Sequence, residues 1–305
     1  MNALRHLLCL MSIVLVAMPA AAQTPVPLPT AGAAVQVGEF SVITLLDGAL
    51  SFPFSVFYGA DEATMRNTAG GAQSVPGSFN VFLIKRGKER FLVDTGNGAL
   101  RPDSIGQLPR CLEDAKTAPA DIGKIFLTHL HGDHVGGLVK DGKPAFPKAK
   151  VYVAKAEYTY WTSDEAMRQA PENRRGLFPL VQGILRVLEQ NTLLVFFTPG
   201  DVVAPDITSV DLAGHTPGHA GFLLASGGKK LFFVGDLVHG AALQMPRPDI
   251  TFEFDVDQPR ARETRLRAFR QLAADQTPIA GAHLPFPGTG LVRTEGAGYR
   301  LEALK

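Results

Sequence analysis

The sequence predicts an α/β fold built of two sheets with helices on the outside. Short apolar runs typical of strands come in two blocks, and each block is followed by segments with helical periodicity. We find no internal repeat and no linker that would divide the chain. With 305 residues and a hydrophobic fraction of 46%, the chain has enough apolar side chains for one large core.

The N-terminus is predicted to be a signal peptide over residues 1–22. Arg5 and His6 precede an apolar run over 7–18 that is too short to span a bilayer as a mature helix, and small residues follow it up to Ala22. We expect cleavage after Ala22, export to the periplasm or medium, and no membrane span in the mature form; an uncleaved anchor is the alternative. Removal of 22 of 305 residues leaves 283, which fits a flexible leader over 23–34 and one domain over 35–305.

Charge and cysteine content exclude some classes of partner and cross-link. The formal net charge is +1, so we expect no nucleic-acid partner. Cys9 leaves with the signal peptide, and Cys111 then has no partner for an internal disulfide. We therefore expect Cys111 to be a small buried or half-buried side chain.

The first block of elements starts with a β-branched strand over 35–46. The aromatic segment over 50–58 either walls an apolar pocket or packs on the core. The remaining elements follow in order: loop and a short helix over 61–77, a hairpin of strands 79–85 and 90–93, an interrupted helix over 99–115, a turn at 119–121, a buried strand over 124–128, and a helix opening within 135–139.

The second block alternates strands with longer helices. Strands are predicted over 150–153, 193–197, 207–212, 221–225 and 230–234, and helices over 154–161, 177–190 and 259–275. The last helix is charged and should turn Leu266, Phe269 and Leu272 inward. Trp161, the single Trp, either lines a pocket or packs in the core.

Metal-type residues are concentrated in the turn Thr128–His134. His129 and His131 are two positions apart, so they point to the same side of an extended backbone, and Gly132 lets the chain turn before Asp133 and His134. The turn follows a strand, where α/β proteins place their chemistry. Imidazoles and a carboxylate suit zinc, and four such groups exceed the three protein ligands of one catalytic zinc. We therefore expect two metal ions; a His-rich polar turn is the alternative.

Further ligand types follow later strands. His215, Asp236 and His283 each come after a predicted strand and close to a Gly. Asp94 also ends a strand, where it either orients a metal-bound His or caps the following turn.

This order of motifs resembles the metallo-β-lactamase superfamily: His-x-His-x-Asp-His, then Gly-His-Thr, then Gly-Asp, then a late His. The resemblance implies a four-layer αββα sandwich with a dinuclear site between the sheets. It assigns His129, His131 and His215 to one metal, Asp133, His134 and His283 to the other, and Asp236 to both. It also implies that His219 is structural and that Asp94 supports the ligands, while the closer similarity to one branch of the superfamily implies that Trp161 lines the pocket.

Within that superfamily the sequence is most similar to the exported methyl parathion hydrolase-like branch. The similarity lies in 126–138, 214–219, 235–237, 283–288 and 298–300. It implies a relative of phosphotriesterases and lactonases, and a homodimer.

The expected activity is hydrolysis of an ester or phosphotriester by a hydroxide that bridges two divalent ions, zinc being expected, with Asp133 and Asp236 as catalytic residues. The expected substrate is small, neutral and apolar. Lactone hydrolysis is the close alternative, although lactonases of this superfamily commonly have Tyr three residues after the bridging Asp, where this chain has His239. His239 is either an oxyanion donor or a solvent-facing turn residue.

Other activities fit the sequence less well. β-Lactamases of the superfamily usually lack the bridging Asp. A glyoxalase II-type enzyme needs a helical thioester-binding domain, and only 22 of the 305 residues follow His283. An iron-dependent persulfide dioxygenase uses only part of this ligand set. A binding protein with a structural metal usually has a closed Cys/His site, unlike the set of imidazoles and carboxylates found in this sequence.

Overall fold

The computed structural model describes residues 30–100 and 105–304. The predicted signal peptide and residues 23–29 of the predicted leader lie outside these ranges. The rest of the leader, 30–34, lies along a strand: the Gly32 amide donates to the Thr44 carbonyl at 2.9 Å, and the Leu46 amide donates to the Thr30 carbonyl at 3.3 Å. These backbone bonds hold the described part of the leader against the domain. Within the described ranges we find no helix long and apolar enough to cross a bilayer.

The strands of the described residues form two large sheets and two short ribbons. In chain order they are β1 Val35–Val37, β2 Phe40–Phe52, β3 Phe57–Tyr58, β4 Val75–Arg86, β5 Glu89–Val93, β6 Lys124–Phe126, β7 Val139–Lys140, β8 Lys143–Pro144, β9 Lys150–Ala154, β10 Leu194–Phe197, β11 Val202–Ala204, β12 Ile207–Asp211, β13 Ala220–Ser226, β14 Lys229–Gly235, β15 Thr251–Phe252, β16 Ile279–Gly281, β17 Thr289–Glu295 and β18 Gly298–Ala303.

The helices lie between and after these strands. They are α1 Glu62–Thr68, α2 Leu108–Asp114, α3 Gly132–Val135, α4 Lys155–Trp161, α5 Asp164–Gln169, α6 Glu172–Arg175, α7 Leu177–Gln190, α8 Ala241–Gln244 and α9 Gln258–Asp275. Single turns of 3-10 helix cover Phe54–Val56, Gly98–Leu100, Pro119–Asp121 and Gly136–Leu138.

Each large sheet has seven strands. The first sheet has the order β1-β2-β4-β5-β6-β9-β10, and the second has the order β11-β12-β13-β14-β16-β17-β18. The first sheet is antiparallel up to β5 and parallel from β5 to β10. In the second sheet β14 and β16 are parallel and the other pairs are antiparallel. The carboxyl ends of parallel strands therefore meet at one edge of each sheet.

The two sheets pack face to face through aromatic side chains. The ring centroids of Phe82 and Phe233 are 5.4 Å apart, and those of Phe126 and Phe222 are also 5.4 Å apart. Each pair joins a strand of the first sheet to a strand of the second. Full burial of one such side chain stabilises the fold by about 1.5–3 kcal/mol, so this layer fixes the two sheets relative to each other.

The outer faces of both sheets are covered by helices. Strand residues alternate between faces, so Leu83 of β4 packs with α7 while its neighbour Phe82 points to the other sheet. On the second sheet, Phe269 and Leu272 of α9 pack with Val234. The αββα sandwich predicted from the sequence is confirmed. Cys111, on the inner face of α2, is buried in the core, as expected.

Some element boundaries differ from the prediction. The strand predicted over 35–46 is a hairpin of β1 and β2, because Gly38 has φ +57° and a Cβ there would lie 2.6 Å from the Ser226 backbone. The helix predicted over 99–115 is shorter: the described residues show a 3-10 turn to Leu100 and then α2 from Leu108. The helix expected within 135–139 begins earlier, at Gly132. Strand β17 and the edge strand β18 were not predicted.

Candidate metal centre

The predicted ligands lie at the carboxyl ends of strands from both sheets. The turn of Thr128–His134 follows β6, while Asp236 follows β14 and His283 follows β16. His215 comes from the loop after β12. Because the sheets face each other, these four segments meet at one edge of the sandwich. The structure brings all seven predicted ligands together there.

Glycine is required directly before Asp236. Gly235 has φ +50°, and a Cβ at this position would lie 2.5 Å from His219 Nε2 and 2.8 Å from the Thr128 Cβ. Any other residue would push the turn of the first sheet away from the strand of the second. The close approach of the two sheets at the site therefore depends on this residue.

The first ligand group comprises His129, His131, His215 and Asp236. Nδ1 of His131 lies 2.9 Å from Nε2 of His129 and 2.9 Å from Nε2 of His215. Asp236 Oδ2 lies 3.3 Å from His215 Nε2 and 3.6 Å from His129 Nε2. One ligand atom from each residue thus faces a common point, and all four residues are buried.

The second ligand group comprises Asp133, His134, His283 and, again, Asp236. His134 Nε2 lies 3.1 Å from Asp236 Oδ1, and His283 Nε2 lies 3.2 Å from Asp236 Oδ2. Asp133 Oδ2 lies 3.4 Å from His283 Nε2. Asp236 belongs to both groups, and the side chain of Asp133 is 25% exposed, more than those of its neighbours.

The chemistry of these atoms fits two divalent cations. Nε2 of His134 and Oδ1 of Asp236 are buried and 3.1 Å apart, yet neither forms a hydrogen bond of good geometry, although an unpaired buried polar atom costs about 1–3 kcal/mol. In the first ligand group three imidazole nitrogens converge, and protons on them would face one another. Imidazole nitrogens and carboxylate oxygens are the donor set of zinc and related ions. We therefore treat both groups as candidate metal sites.

Burial and neighbouring charges change the protonation of the imidazoles. Burial, followed by the neighbouring imidazoles, holds the pKa of His129 and of His131 well below the usual range, so both are neutral as a ligand must be. Burial also lowers the pKa of His215, but its hydrogen bonds to Asp236 and Asp255 outweigh this and raise it to about 9. Burial opposes charge on His283 as well, but Asp236 and Asp133 raise its pKa to about 10.

A buried carboxylate supports the histidines of the first sheet. Asp94 Oδ2 accepts a hydrogen bond from His134 Nδ1 at 2.8 Å, which directs Nε2 of that ring to the second ligand group. Asp94 also accepts from the amide and the hydroxyl of Thr128, each at 2.9 Å. The Thr128 hydroxyl lies 3.2 Å from His129 Nδ1. Of the two roles that the sequence leaves open for Asp94, the structure shows the orienting one.

His219 is occupied on both sides by backbone. Its Nδ1 donates to the Leu212 carbonyl at 3.0 Å, and its Nε2 accepts from the Asp236 amide at 3.1 Å. Burial and the neighbouring His215 lower its pKa to about 3, so it stays neutral. With both nitrogens used in this way, His219 joins two loops of the second sheet and belongs to neither ligand group.

Both ligand groups open into one cavity of about 280 Å³. Besides the ligands His131, Asp133, His215, Asp236 and His283, its wall contains the backbone of Gly132, the polar side chains of Asn97 and His239, and eight apolar side chains: Leu50, Phe52, Phe79, Leu100, Leu177, Leu180, Phe252 and Phe254. None of the described residues in this wall is Lys or Arg. The cavity therefore presents metal-type groups on one side and an apolar surface on the others.

A sequence comparison identifies the family. The model of the Metallo-beta-lactamase superfamily matches residues 75–283, which include all seven candidate ligands. This chain belongs to the metallo-β-lactamase superfamily. The fold, the candidate ligand groups and the hydrolases among its neighbours make it a metal-dependent hydrolase of that superfamily.

Similar proteins include both curated relatives and solved structures. The lactamase-like protein aptB of Emericella nidulans is 42% identical over 59 residues, a stretch that covers 19% of this chain and 18% of that protein. The crystal structure of AbOPH, described as a hydrolase in the beta lactamase superfamily, superposes with a TM-score of 0.85 at 29% identity and covers 90% of this chain and 97% of that one. AidC, described as a dizinc quorum-quenching lactonase in complex with an L-homoserine product, gives a TM-score of 0.83 at 27% identity, over 90% of this chain and 98% of that one.

In this member of the superfamily His239 is not the solvent-facing turn residue that the sequence favours. Its ring is 2% exposed, stacks on Phe252 at 3.9 Å between centroids, and lies parallel to His283 at 5.0 Å. Its Nε2 lies 3.1 Å from Asp236 Oδ2. Phe252 comes from the ribbon of β15 and β3, so its contact with His239 is not visible in the local sequence.

The aromatic residues divide between the cavity wall and the core. Trp161, implied to line the pocket, lies behind it: it packs edge-on against His131 at 5.5 Å and donates to Glu157 at 2.8 Å. Within the segment 50–58, Phe52 faces the cavity, whereas Phe54 and Phe57 pack in an adjacent apolar cluster. Both interpretations of that segment thus hold for part of it.

Sequence reasoning missed three buried charged residues close to the ligands. Asp255 accepts a hydrogen bond from His215 Nδ1 at 2.8 Å, and Arg265 lies 3.7 Å from Asp255. Glu157 accepts from the amide of Leu130 at 3.1 Å and from that of Gly218 at 2.8 Å. None of the three stands in a recognisable motif, and the signal that finds them is burial of a charge.

Proposed function

We propose that this metal-dependent hydrolase cleaves small, uncharged, apolar carboxylic esters, lactones among them, at a site that holds two divalent ions. The observation that carries this proposal is the shared cavity. Two candidate metal groups form one side of it, eight apolar side chains form most of the rest, and no described lining residue outside the ligand histidines and His239 is a Lys, Arg or His. A substrate with a carboxylate far from the reacting bond would lose water there without gaining an ion pair.

We assign the proposed ligands to the two ions according to the distances between their ligand atoms. The first ligand group would hold one ion and the second ligand group the other, with Asp236 between them. When bound, such a pair of ions supplies a hydroxide nucleophile at neutral pH and polarises the oxygen of the bond under attack. We expect zinc, since AidC is described as a dizinc enzyme.

The chain's own residues would position the substrate and move the proton. Asp133 is the most exposed carboxylate of the two groups and lines the cavity, so its carboxylate is placed to take a proton at Oδ2 and to return it to the leaving group. Phe79, Phe252 and Phe254 would enclose the apolar part of the substrate and exclude water. His239, at the edge of the ligand cluster, would face the polar end of the ester.

Similarity to a lactonase supports the ester class. AidC, described as a lactonase with an L-homoserine product, matches 90% of this chain at 27% identity. The apolar wall is suited to an acyl chain attached to such a ring. The proposal for this chain is the class of neutral esters and lactones, not that product.

A phosphotriester is the second candidate substrate. It is favoured by His239, which takes the position where lactonases of the superfamily commonly have Tyr. A buried imidazole whose Nε2 lies 3.1 Å from Asp236 Oδ2 is a different donor from a Tyr hydroxyl. A phosphotriester is also uncharged and fits the same apolar wall.

A hydrolysis panel tests the proposal. The metal-loaded protein is assayed with an aryl hexanoate, an acylated lactone, a neutral aryl phosphotriester and a β-lactam. The charge control is an aryl ester whose acyl chain has the same length and ends in a carboxylate. We expect kcat/KM for the neutral ester or lactone to exceed that for the charged ester by about 100-fold or more, because an unpaired charge costs several kcal/mol in an apolar wall.

Two results would contradict the proposal. Faster hydrolysis of the carboxylate-bearing ester or of the β-lactam would show that the apolar wall does not select the substrate. A protein that binds a single iron and hydrolyses none of the panel would show that the two groups do not serve hydrolysis. A phosphotriester preferred over both the ester and the lactone would replace the leading substrate by the second candidate.

A further inference from the structure

A buried ion pair lies behind the second sheet, next to the first ligand group. Asp255 is 5% exposed and Arg265 is 1% exposed. Arg265 belongs to α9, and Asp255 lies in the loop between β15 and α9. Burying two charges costs several kcal/mol per ion, and their mutual attraction often does no more than offset this cost. Stability alone therefore gives no reason for placing the pair here.

Asp255 decides which nitrogen of His215 faces the site. Its Oδ1 accepts from His215 Nδ1 at 2.8 Å, which leaves Nε2 of the neutral ring as the lone-pair atom. That Nε2 lies 2.9 Å from His131 Nδ1 and 3.3 Å from Asp236 Oδ2. The other oxygen, Oδ2, accepts from the Phe252 amide at 2.9 Å and faces Arg265, so the carboxylate cannot rotate away without losing both contacts.

Arg265 connects this carboxylate to the segment that carries Asp236. Its Nε donates to the carbonyl of Leu237, the residue after Asp236, at 2.7 Å. Its Nη1 donates to the carbonyls of Ile250 at 2.6 Å and Pro248 at 3.2 Å. One planar guanidinium thus contacts the turn after β14 and the loop that leads to Asp255.

We propose that Asp255 and Arg265 are a positioning pair that sets the tautomer of His215 and the path of the chain after Asp236, and thereby the metal affinity of the first ligand group. This inference rests on the proposed metal site and adds to it two residues that touch neither ion nor substrate. Second-layer carboxylates of this kind change metal affinity by about 10- to 100-fold. The ligand side chain that Asp255 contacts is His215, which belongs to the first ligand group alone, so loss of this carboxylate should act mainly on one of the two ions.

The decisive variant is Asp255→Asn. The amide oxygen can still accept from the Phe252 amide, but the NH₂ group then faces His215 Nδ1 and favours the tautomer with the proton on Nε2, the nitrogen that must be free for a metal. We expect competition with a chelator for Zn²⁺ to show one site weakened by about 10- to 100-fold and the other within about threefold of wild type. In the metal-free variant, at a pH where the His215 ring is neutral, ¹⁵N chemical shifts should show its proton on Nε2.

The matched control is Asp249→Asn. Asp249 forms an ion pair with Arg247 at 2.7 Å in the segment between α8 and β15, and the side chains of Asp249 and Arg247 are 32% and 37% exposed. The Asp249→Asn variant should bind both Zn²⁺ ions with the affinity of the wild type. Arg265→Met keeps most of the side-chain volume and removes the donors to three carbonyls; we expect it to weaken the same site as Asp255→Asn. If Arg265→Met does not fold, the result with Asp255→Asn still tests the positioning role.

The outcomes separate this inference from the proposed function. If the wild type binds no Zn²⁺, the proposed function fails. If the wild type binds two ions and folded Asp255→Asn binds both with wild-type affinity, the positioning role is wrong while the proposed function stands. Equal weakening of both sites would also overturn the inference, because the pair would then act on the whole centre.

Discussion

Two buried carboxylates, one behind each sheet, support the candidate ligands in different ways. Asp94, at the end of β5, accepts from His134 Nδ1 and from the amide and hydroxyl of Thr128. Asp255 accepts from His215 Nδ1 and lies beside Arg265, a buried cation. Burial raises the pKa of Asp255, but His215 and Arg265 outweigh it and bring the pKa down to about 2.

The two carboxylates differ in how many of the candidate metal sites they contact. Through the Thr128 hydroxyl, Asp94 is linked to His129 of the first ligand group as well as to His134 of the second. The ligand side chain that Asp255 contacts is His215 of the first ligand group, and Arg265 donates to the carbonyl of Leu237, the residue after Asp236. The support of the first sheet thus serves both candidate metal sites, whereas that of the second sheet serves one.

The largest expected effect belongs to the residue that both groups share. Asp236→Ala should lower kcat by roughly 1000-fold or more and reduce bound metal, because it removes a carboxylate from both sites. Metal analysis and steady-state kinetics measure this, with circular dichroism to show that the strands persist and Asp249→Asn as the control. Near wild-type activity would remove Asp236 from its proposed bridging role.

Asp94→Asn tests the reach of the first-sheet support. Asn is tolerated at the φ of +62° found here, so the variant should fold. Its NH₂ group would face His134 Nδ1 and disturb both ligand histidines next to Thr128. We expect chelator competition to show both Zn²⁺ ions weakened by about 10- to 100-fold, in contrast to the one-sided effect of Asp255→Asn. If only one ion is bound more weakly, the hydrogen-bonded link from Asp94 through Thr128 to His129 does not contribute to metal affinity.

His219→Ala should have a smaller effect on turnover than Asp236→Ala. It leaves the Asp236 amide and the Leu212 carbonyl unpaired, which costs about 1–3 kcal/mol for each buried group. Urea unfolding should show this loss, while metal analysis should still find two ions per chain. Loss of one metal equivalent would make His219 a ligand instead of a structural residue.

Glu157→Gln should affect stability more than activity. The carboxylate of Glu157 accepts from the Leu130 amide, the Gly218 amide and the Trp161 indole, and a glutamine has one acceptor oxygen in place of two. We expect the free energy of unfolding to fall by about 1–3 kcal/mol, measured by urea denaturation, with kcat within a few-fold of wild type. A loss of activity as large as that of Asp236→Ala would place Glu157 in the reaction.

The ligands were predictable because each stands at the end of a strand with a clear apolar pattern. The turn from His129 to His134 shows its chemistry within six positions, and His283 ends a third apolar strand. Asp94 could be suspected for the same reason, although its role needed the position of His134. These predictions depend only on local spacing and on the periodicity of β-strands.

The supporting residues were not predictable because their meaning comes from burial. Arg265 stands in a helix with many charged residues, and the sequence does not show that its side chain turns inward while those of its neighbours stay in water. For His239 the sequence left a solvent-facing turn residue and an oxyanion donor as the two interpretations; Phe252, from a different ribbon, covers its ring. In both cases contacts with residues distant in the chain decide whether the side chain is buried.

By itself, the sequence determined two sheets with helices outside them, the types of the candidate ligands and the strand ends that carry them, since side-chain chemistry and periodicity are local properties; the αββα layering was implied by the resemblance to the superfamily. Only the tertiary structure decided which nitrogen of each imidazole faces the site, as with His215 and Asp255. A tautomer is set by the partner of the opposite nitrogen, and packing of the two sheets and α9 brings that partner into place.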